Sequence, residues 1–594
     1  MKPKISLTMI VRDEAAFLAE CLEHVRHEVD EIIIVDTGST DQTLTIAQRF
    51  TDQIYTFSWT GDFSAARNFA LQQAAGDWIL SLDADEIIQG EPGSLRMLIR
   101  DAGDKEAFLL PLHNPISNST GEFNTFYVIR IFKNNDLYRY VGKIHEQVSI
   151  PDPEKVGLAQ SPLIEHKPLP LRVQHKKRNR NLRLLLQASK ENPLNPFLQY
   201  YLGVEWLMLG KGSYALPLLQ KAYRSLGDEN LLFRAPALKY LILCLRELGK
   251  PDEAFCLCLE ASLSYPIYTD IFYFGGILLE EMGEYLAALK WFNHALLCGS
   301  PPALFSHLTG SESFLAHYHL GFCYEKLDKK AEAFNAYVTA LDTNPKYPYP
   351  LYPLILILLS EKGPANCYQI LAQKGYLANP ILCLTAANLF YLSGHVEEAF
   401  LCLDSNRECF LEDKRFLLDL GKYCIYSGRL NMGLNLLRQI PKNSSYFSSA
   451  QTLSIIALIF LGNYPEAKLS AIHLWRNPLN RGEAFILLSI IRNIVQDNKG
   501  TIQPDLPNIR ERETIPMATE LYQDYLRYLN HPSSRKSPNH FVQRWGEALE
   551  TLLKSSENGL SFLLRGYDQR LENLKQNFIK IFGSEWRVNE YVNC

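Results

Sequence analysis

The chain has 594 residues, too long for one ordinary domain, with 47% hydrophobic and 21% charged residues. A formal net charge of -5, from 60 basic and 65 acidic side chains, excludes the global basic field of a nucleic-acid binder. The twelve cysteines sit mostly singly among apolar residues, and the N-terminus has no signal-type apolar run. Both features predict a cytoplasmic protein, and no stretch reaches the length of a transmembrane segment.

Ile5–Val11 reads as a first strand, with Arg12, Asp13 and Glu14 at its carboxyl end. Residues 15–27 carry apolar side chains at helical spacing. Glu31–Asp36 is a β-branched strand buried on both faces, and the turn from Thr37 to Asp41 opens a helix over 42–50. A third strand over 54–59, a helix starting at Phe63 and a strand over 77–83 complete a β-α-β-α-β-α-β pattern. That pattern predicts an α/β domain with a mostly parallel sheet and right-handed crossovers. Ligands of such sheets bind beyond the carboxyl ends of the strands, where Arg12, Asp36, Asp83 and Asp85 fall. Residues i and i+2 share a face of an extended strand, so Asp83 and Asp85 are expected to approach one site. Two such carboxylates call for a cation, and a hard divalent ion is the simplest choice.

Four blocks carry a family resemblance: Thr8 to Glu14, Ile34 to Asp41, Phe63 to Asn68 and Leu82 to Glu86. In this order and spacing they resemble the family 2 glycosyltransferases, above all the branch whose GT-A catalytic domain precedes tetratricopeptide repeats. The resemblance implies a nucleotide-diphosphate sugar donor, with UDP as the nucleotide, and a divalent metal, Mn2+ or Mg2+. It implies that Asp36 holds the base, that Arg67 lies near the phosphates and that Asp83 touches the ribose or the metal's waters. Arg12 and Glu14 join this donor set. Asp85 is the implied metal ligand and His166, at the end of the last strand, its partner. In Tyr138 to Glu146 the resemblance places the general base of an inverting reaction. Glu146 is the residue chosen, with His145 as the rival base or an orienting group.

A basic helix follows over 171–193, with Lys176, Lys177, Arg178, Arg180 and Arg183. Such a run is ordinarily a solvated face. Because it leaves the catalytic domain, contact with the donor diphosphate is the other reading. From residue 194 to 496 the pattern becomes helical pairs. Gly210, Gly249, Gly283, Gly394 and Gly462 each precede an alanine by five positions, and Asp328 does the same. The spacing from Gly249 to Gly283 is the tetratricopeptide period, which predicts an all-α solenoid with a concave surface. Residues 497–514 read as a linker and 515–594 as a helical region that caps the solenoid. The expected protein is therefore an α/β GT-A nucleotide-sugar domain (1–170) followed by a tetratricopeptide-repeat solenoid. Its expected acceptor is a peptide or protein held by the repeats. The alternatives are a glycan or lipid acceptor, or a non-catalytic repeat scaffold with a vestigial transferase domain. Removing everything after Asn192 is expected to spare the donor site and abolish acceptor use.

Overall fold

The computed structural model describes residues 3–116, 120–168, 171–410, 412–495, 511–530 and 540–554. The chain divides into two compact units, one reaching Asn344 and one beginning at Pro345.

The first unit opens with β1 (Ile5–Val11), α1 (Leu18–Val25), β2 (Glu31–Asp36), α2 (Thr43–Ala47), β3 (Ile54–Thr56), α3 (Phe63–Gln73) and β4 (Trp78–Ser81). The four strands are parallel in the order β3-β2-β1-β4. Their cores are continuous apolar runs because both faces are covered: Leu7, Met9, Ile33, Ile34 and Leu80 are fully buried. Next come β5 (Glu86–Gln89), α4 (Ser94–Arg100), β6 (Ala107–Pro115), β7 (Phe123–Lys133), β8 (Tyr140–Val141), β9 (Gln147–Val148), β10 (Val156–Leu158) and β11 (Leu163–His166). Beyond β4 the sheet is mixed. It continues β7-β6-β11-β5, with β7 antiparallel to both β4 and β6, and β10 beside β6. Strands β8 and β9 form a separate small ribbon.

The basic helix α5 (Leu171–Glu191) leads into helix pairs: α6 (Pro196–Met208) with α7 (Gly212–Ser225), α8 (Leu231–Glu247) with α9 (Pro251–Ser264), α10 (Thr269–Glu281) with α11 (Tyr285–Cys298). The pair α12 (Phe314–Lys326) and α13 (Lys330–Thr343) closes the unit. Each pair turns through a left-handed residue. Gly249 does so at φ 71°, and Asp328 adopts φ 56° at the same place in its repeat. An aspartate tolerates this region better than most side chains, so the repeat survives without its glycine. The alanines five positions on (Ala215, Ala254, Ala288 and Ala333) are fully buried where the two helices cross.

The first repeats also complete the sheet. Strand β4 is short, and on its β7 side it reaches only the end of that strand, from Ile131 to Lys133. The start of β7 would otherwise be an open edge. A two-residue strand between α11 and α12, β12 (His307–Leu308), covers it, with His307 opposite Thr125 and Leu308 opposite Asn124. Behind it lies a buried ionic cluster. Lys239 Nζ on α8 donates to Asn124 Oδ1 at 2.7 Å and sits 3.7 Å from Asp270 Oδ2 on α10. Asp270 also pairs with His307 Nδ1 at 2.8 Å and accepts from Leu308 N at 2.9 Å. Deleting everything after Asn192 would therefore remove a strand and leave β7 uncovered. What such a truncation puts at stake is therefore the folding of the shortened sheet rather than the donor residues themselves.

The second unit continues the helical pairs, among them Pro380–Leu392 with Val396–Asp404, Lys414–Tyr426 with Leu430–Leu437, and Phe447–Phe460 with Tyr464–Trp475. The expected linker lies outside the described residues up to 510, and from Glu511 the chain is helical, Glu511–Asn530 and then His540–Lys554. These helices pack on the last repeats: Trp545 is fully buried against Phe460, and Asp524 lies 3.5 Å from Lys422. Residues 555–594 of the expected C-terminal helical region lie outside the described residues.

Candidate active site

The first two strand-end loops are clasped together. Asp13, held at φ 55°, accepts from the Thr40 backbone N–H at 2.7 Å, while its own N–H donates to Ser39 Oγ. Glu14 N donates to Thr43 Oγ1 at 2.8 Å. Asp36 is buried and accepts from the backbone N–H groups of Gly38 and Ser39, both at 3.1 Å. It therefore shapes its own turn, and a carboxylate in this state keeps lone pairs for one more donor. Arg12 beside it is exposed.

Strand β4 ends at Ser81, and the Glu86 N–H to Asp83 carbonyl bond shows that the chain turns at once. The extended-strand geometry expected for Asp83 and Asp85 therefore does not hold, and the two carboxylates take different partners. Asp83 lies between two arginines, 2.6 Å from Arg67 Nη2 and 3.1 Å from Arg130 Nη2. Burial opposes its charge, but the two guanidinium groups win and hold it well below the usual carboxylate range. Arg130 on β7 also pairs with the buried Glu86. Arg67 on α3 bridges Asp83 and Glu146, with its Nε 2.5 Å from Glu146 Oε1 and its guanidinium over the Tyr140 ring. Asn68, next along α3, holds β8 by a reciprocal pair of bonds with the Tyr140 backbone, at 2.9 and 2.8 Å. One turn of α3 thus fixes both the acidic turn and the loop that carries Glu146.

Asp85 faces the other way, toward β11 and α5. Its Oδ2 is 3.5 Å from His166 Nε2 and 3.1 Å from Lys177 Nζ, which is also 3.7 Å from Glu14. Burial works against charge on both Asp85 and His166, yet their mutual attraction lowers the first and raises the second. Burial lifts Glu14 to about 7, with the Lys177 ammonium pulling the other way.

His145 and Glu146 have separate surroundings. His145 sits at φ 49°, and its ring stacks on Tyr201 of α6 with centroids 3.9 Å apart and planes 2° from parallel. Burial, helped by Arg180, pushes its imidazole down to about 4. Such a ring is neutral at ordinary pH and a poor proton acceptor. Arg130, Glu86 and Tyr201 had no role on the sequence reading. A charged residue inside the apolar run of β7 was the available signal for Arg130.

A model of the family described as Glycosyl transferase family 2 matches residues 6–149, the stretch that holds these strand ends and the Glu146 loop. The N-terminal domain is a family 2 glycosyltransferase domain. A TPR repeat-containing protein of Synechococcus elongatus is 39% identical over 145 residues, 24% of this chain and 35% of that protein. The SPbeta prophage-derived glycosyltransferase SunS of Bacillus subtilis is 29% identical over 305 residues, 48% of this chain and 70% of that enzyme. The chain thus spans about a third of the first relative's length and about two thirds of the second's. A solved structure of MamA from Desulfovibrio magneticus covers 29% of this chain and 87% of that one, at 15% identity and a TM-score of 0.24.

Whether a divalent metal fits the transferase domain can be judged from the donors. Among the described residues no group of three or more His, Cys, Asp or Glu side chains is placed to hold a metal. Asp85 and His166 offer one carboxylate and one imidazole, and the buried His166 Nδ1 has no hydrogen-bond partner. A cation, Lys177, is already drawn to that carboxylate. The pair fits a metal that takes its remaining ligands from phosphate and water. Among the described residues no helix is long and apolar enough to cross a membrane.

Proposed function

We propose that the protein is an inverting, metal-dependent glycosyltransferase that moves a sugar from a nucleotide-diphosphate sugar, with UDP as the nucleotide, to a peptide or protein acceptor. The observation that carries this reading is Arg67. Its guanidinium ties a donor-side carboxylate, Asp83, to an acceptor-side carboxylate, Glu146, next to the Asp85–His166 pair. In this reading Asp36 and the clasped loops around Arg12 and Glu14 bind the nucleotide, and Asp83 meets the ribose. Asp85 and His166 would hold the metal, which would supply charge neutralisation at the leaving diphosphate.

Glu146 takes the proton of the acceptor hydroxyl or thiol as that atom attacks the anomeric carbon. The bond from that carbon to the diphosphate oxygen breaks, and the electron pair leaves with the nucleotide. Arg67 engages Oε1 of Glu146, so Oε2 is the oxygen left for the proton. His145 places the loop through its stack on Tyr201 and stays neutral. Support for an acceptor held by the repeats comes from that same contact, since α6 of the first repeat reaches the catalytic loop. The buried free cysteines suit a cytoplasmic setting.

The test is release of UDP from UDP-sugars with and without Mn2+. Wild type is expected to require the metal, and Asp85→Ala to lose both turnover and metal-dependent nucleotide binding. Full activity in excess chelator, or normal turnover of Asp85→Ala, overturns the reading.

A further inference from the structure

The helix that leaves the transferase domain sends one charged side chain back into its site. Helix α5 is pinned along its length. Leu185 is fully buried in a cluster with Ile144 and Leu202, Arg178 pairs with the buried Glu205 at 3.6 Å, and the Arg180 guanidinium covers the Phe63 ring. At the helix end, Lys143 from the catalytic loop donates to Glu191 at 2.8 Å. These anchors leave Lys177 aimed at Asp85 and Glu14, 92 residues back in sequence for its bond to Asp85.

An ammonium 3.1 Å from Asp85 Oδ2 lies against the oxygen that the metal reading needs. A divalent cation and an ammonium cannot share one carboxylate oxygen at close range, because the like charges repel in a poorly solvated site. Lysine carries its charge on a flexible four-carbon stem with three rotatable donors, so it can change partners without moving its helix. Once a metal and diphosphate arrive, the strongest new acceptors within its reach are the phosphate oxygens.

We propose that Lys177 is a donor-binding residue with two positions. In the empty site it pairs with Asp85 and lies beside Glu14, and in the loaded site it turns to the diphosphate of the donor. The inference rests on the nucleotide-sugar reading of this site. It gives the basic helix between sheet and repeats a specific task, namely adding a positive charge at the leaving group from outside the matched family domain.

The experiment titrates full-length Lys177→Gln and wild type by calorimetry, first with Mn2+ alone and then with UDP in saturating Mn2+. Removing the ammonium frees Asp85, so Mn2+ alone is expected to bind several-fold tighter. UDP loses a charge-assisted bond and is expected to bind about tenfold to a hundredfold weaker. A lysine that only fastens the helix would not move these two affinities in opposite directions. Lys177→Arg is expected to restore much of the UDP affinity, and Arg183→Gln, an exposed charge on the same helix, to change neither. Unchanged UDP affinity in Lys177→Gln while wild type binds UDP normally overturns the proposal alone. A wild type that binds no UDP at any metal concentration overturns the donor-site reading, and the proposal with it.

Discussion

Replacing Asp270 by asparagine tests whether the repeats are built into the transferase sheet. Asp270 is wholly buried, and its carboxylate faces Lys239, His307, Ser311 and the Leu308 N–H. The substitution leaves Lys239 and His307 buried without their shared counter-charge, which costs about 3–5 kcal/mol. Burial alone would lower the His307 pKa, but Asp270, with Glu312 adding to it, raises it to about 9 from the ordinary 6.5. A raised pKa means that the folded form holds the proton more tightly. Its contribution is therefore complete below pH 6.5 and disappears as pH rises through about 9. A shift of this size is worth on the order of 3 kcal/mol. For a cooperative unit reaching Asn344, that corresponds to about 4 °C in Tm. Thermal unfolding of wild type is thus expected to drop by about 4 °C between pH 6.5 and 9.5. Asp270→Asn should start lower by about 4–7 °C and lose most of that slope. A variant within 1 °C of wild type, with the same pH dependence, refutes the coupling.

Three further outcomes follow from the site. Glu146→Gln is expected to lose about 10²–10⁴-fold in turnover with donor affinity nearly unchanged; retention of most turnover while His145→Ala is dead with normal binding would reassign the base. Tyr201→Ala removes the ring under His145 and is expected to slow turnover by about two- to tenfold in steady-state rates. An unaffected Tyr201→Ala would mean that the stack positions nothing. A chain ending at Asn192 is expected to give little soluble, cooperatively folding protein on gel filtration and melting, and a well-folded monomer would show that β12 is dispensable.

Much of this was legible in residue order. The apolar runs of β1, β2 and β4 are long and flanked by turn residues, so strand positions and the ligand-side edge followed directly. The repeats announced themselves because glycine or aspartate must adopt a left-handed turn and alanine must sit at each helix crossing. What failed was local geometry at the acidic run. Periodicity cannot say that a strand stops at Ser81, two residues before the first aspartate, and so the pairing of Asp83 with Arg67 and Arg130 was invisible. Strand β12 was equally hidden. Two residues carry no alternation, and what recruits them is the uncovered edge of β7, more than 170 residues earlier. Tyr201 looked like any aromatic of a helix pair, and its stack on His145 gives it a place at the site.

The same strand sets where this protein can be cut and joined. A repeat array that rests beside its catalytic neighbour can be exchanged at the connecting helix like a cartridge. Here the helix pairs up to α13 share one compact unit with the sheet, and Asn344 itself donates to the Thr120 carbonyl at 2.9 Å. A chimera that exchanges repeats should therefore keep everything through Asn344 and place its seam after that residue.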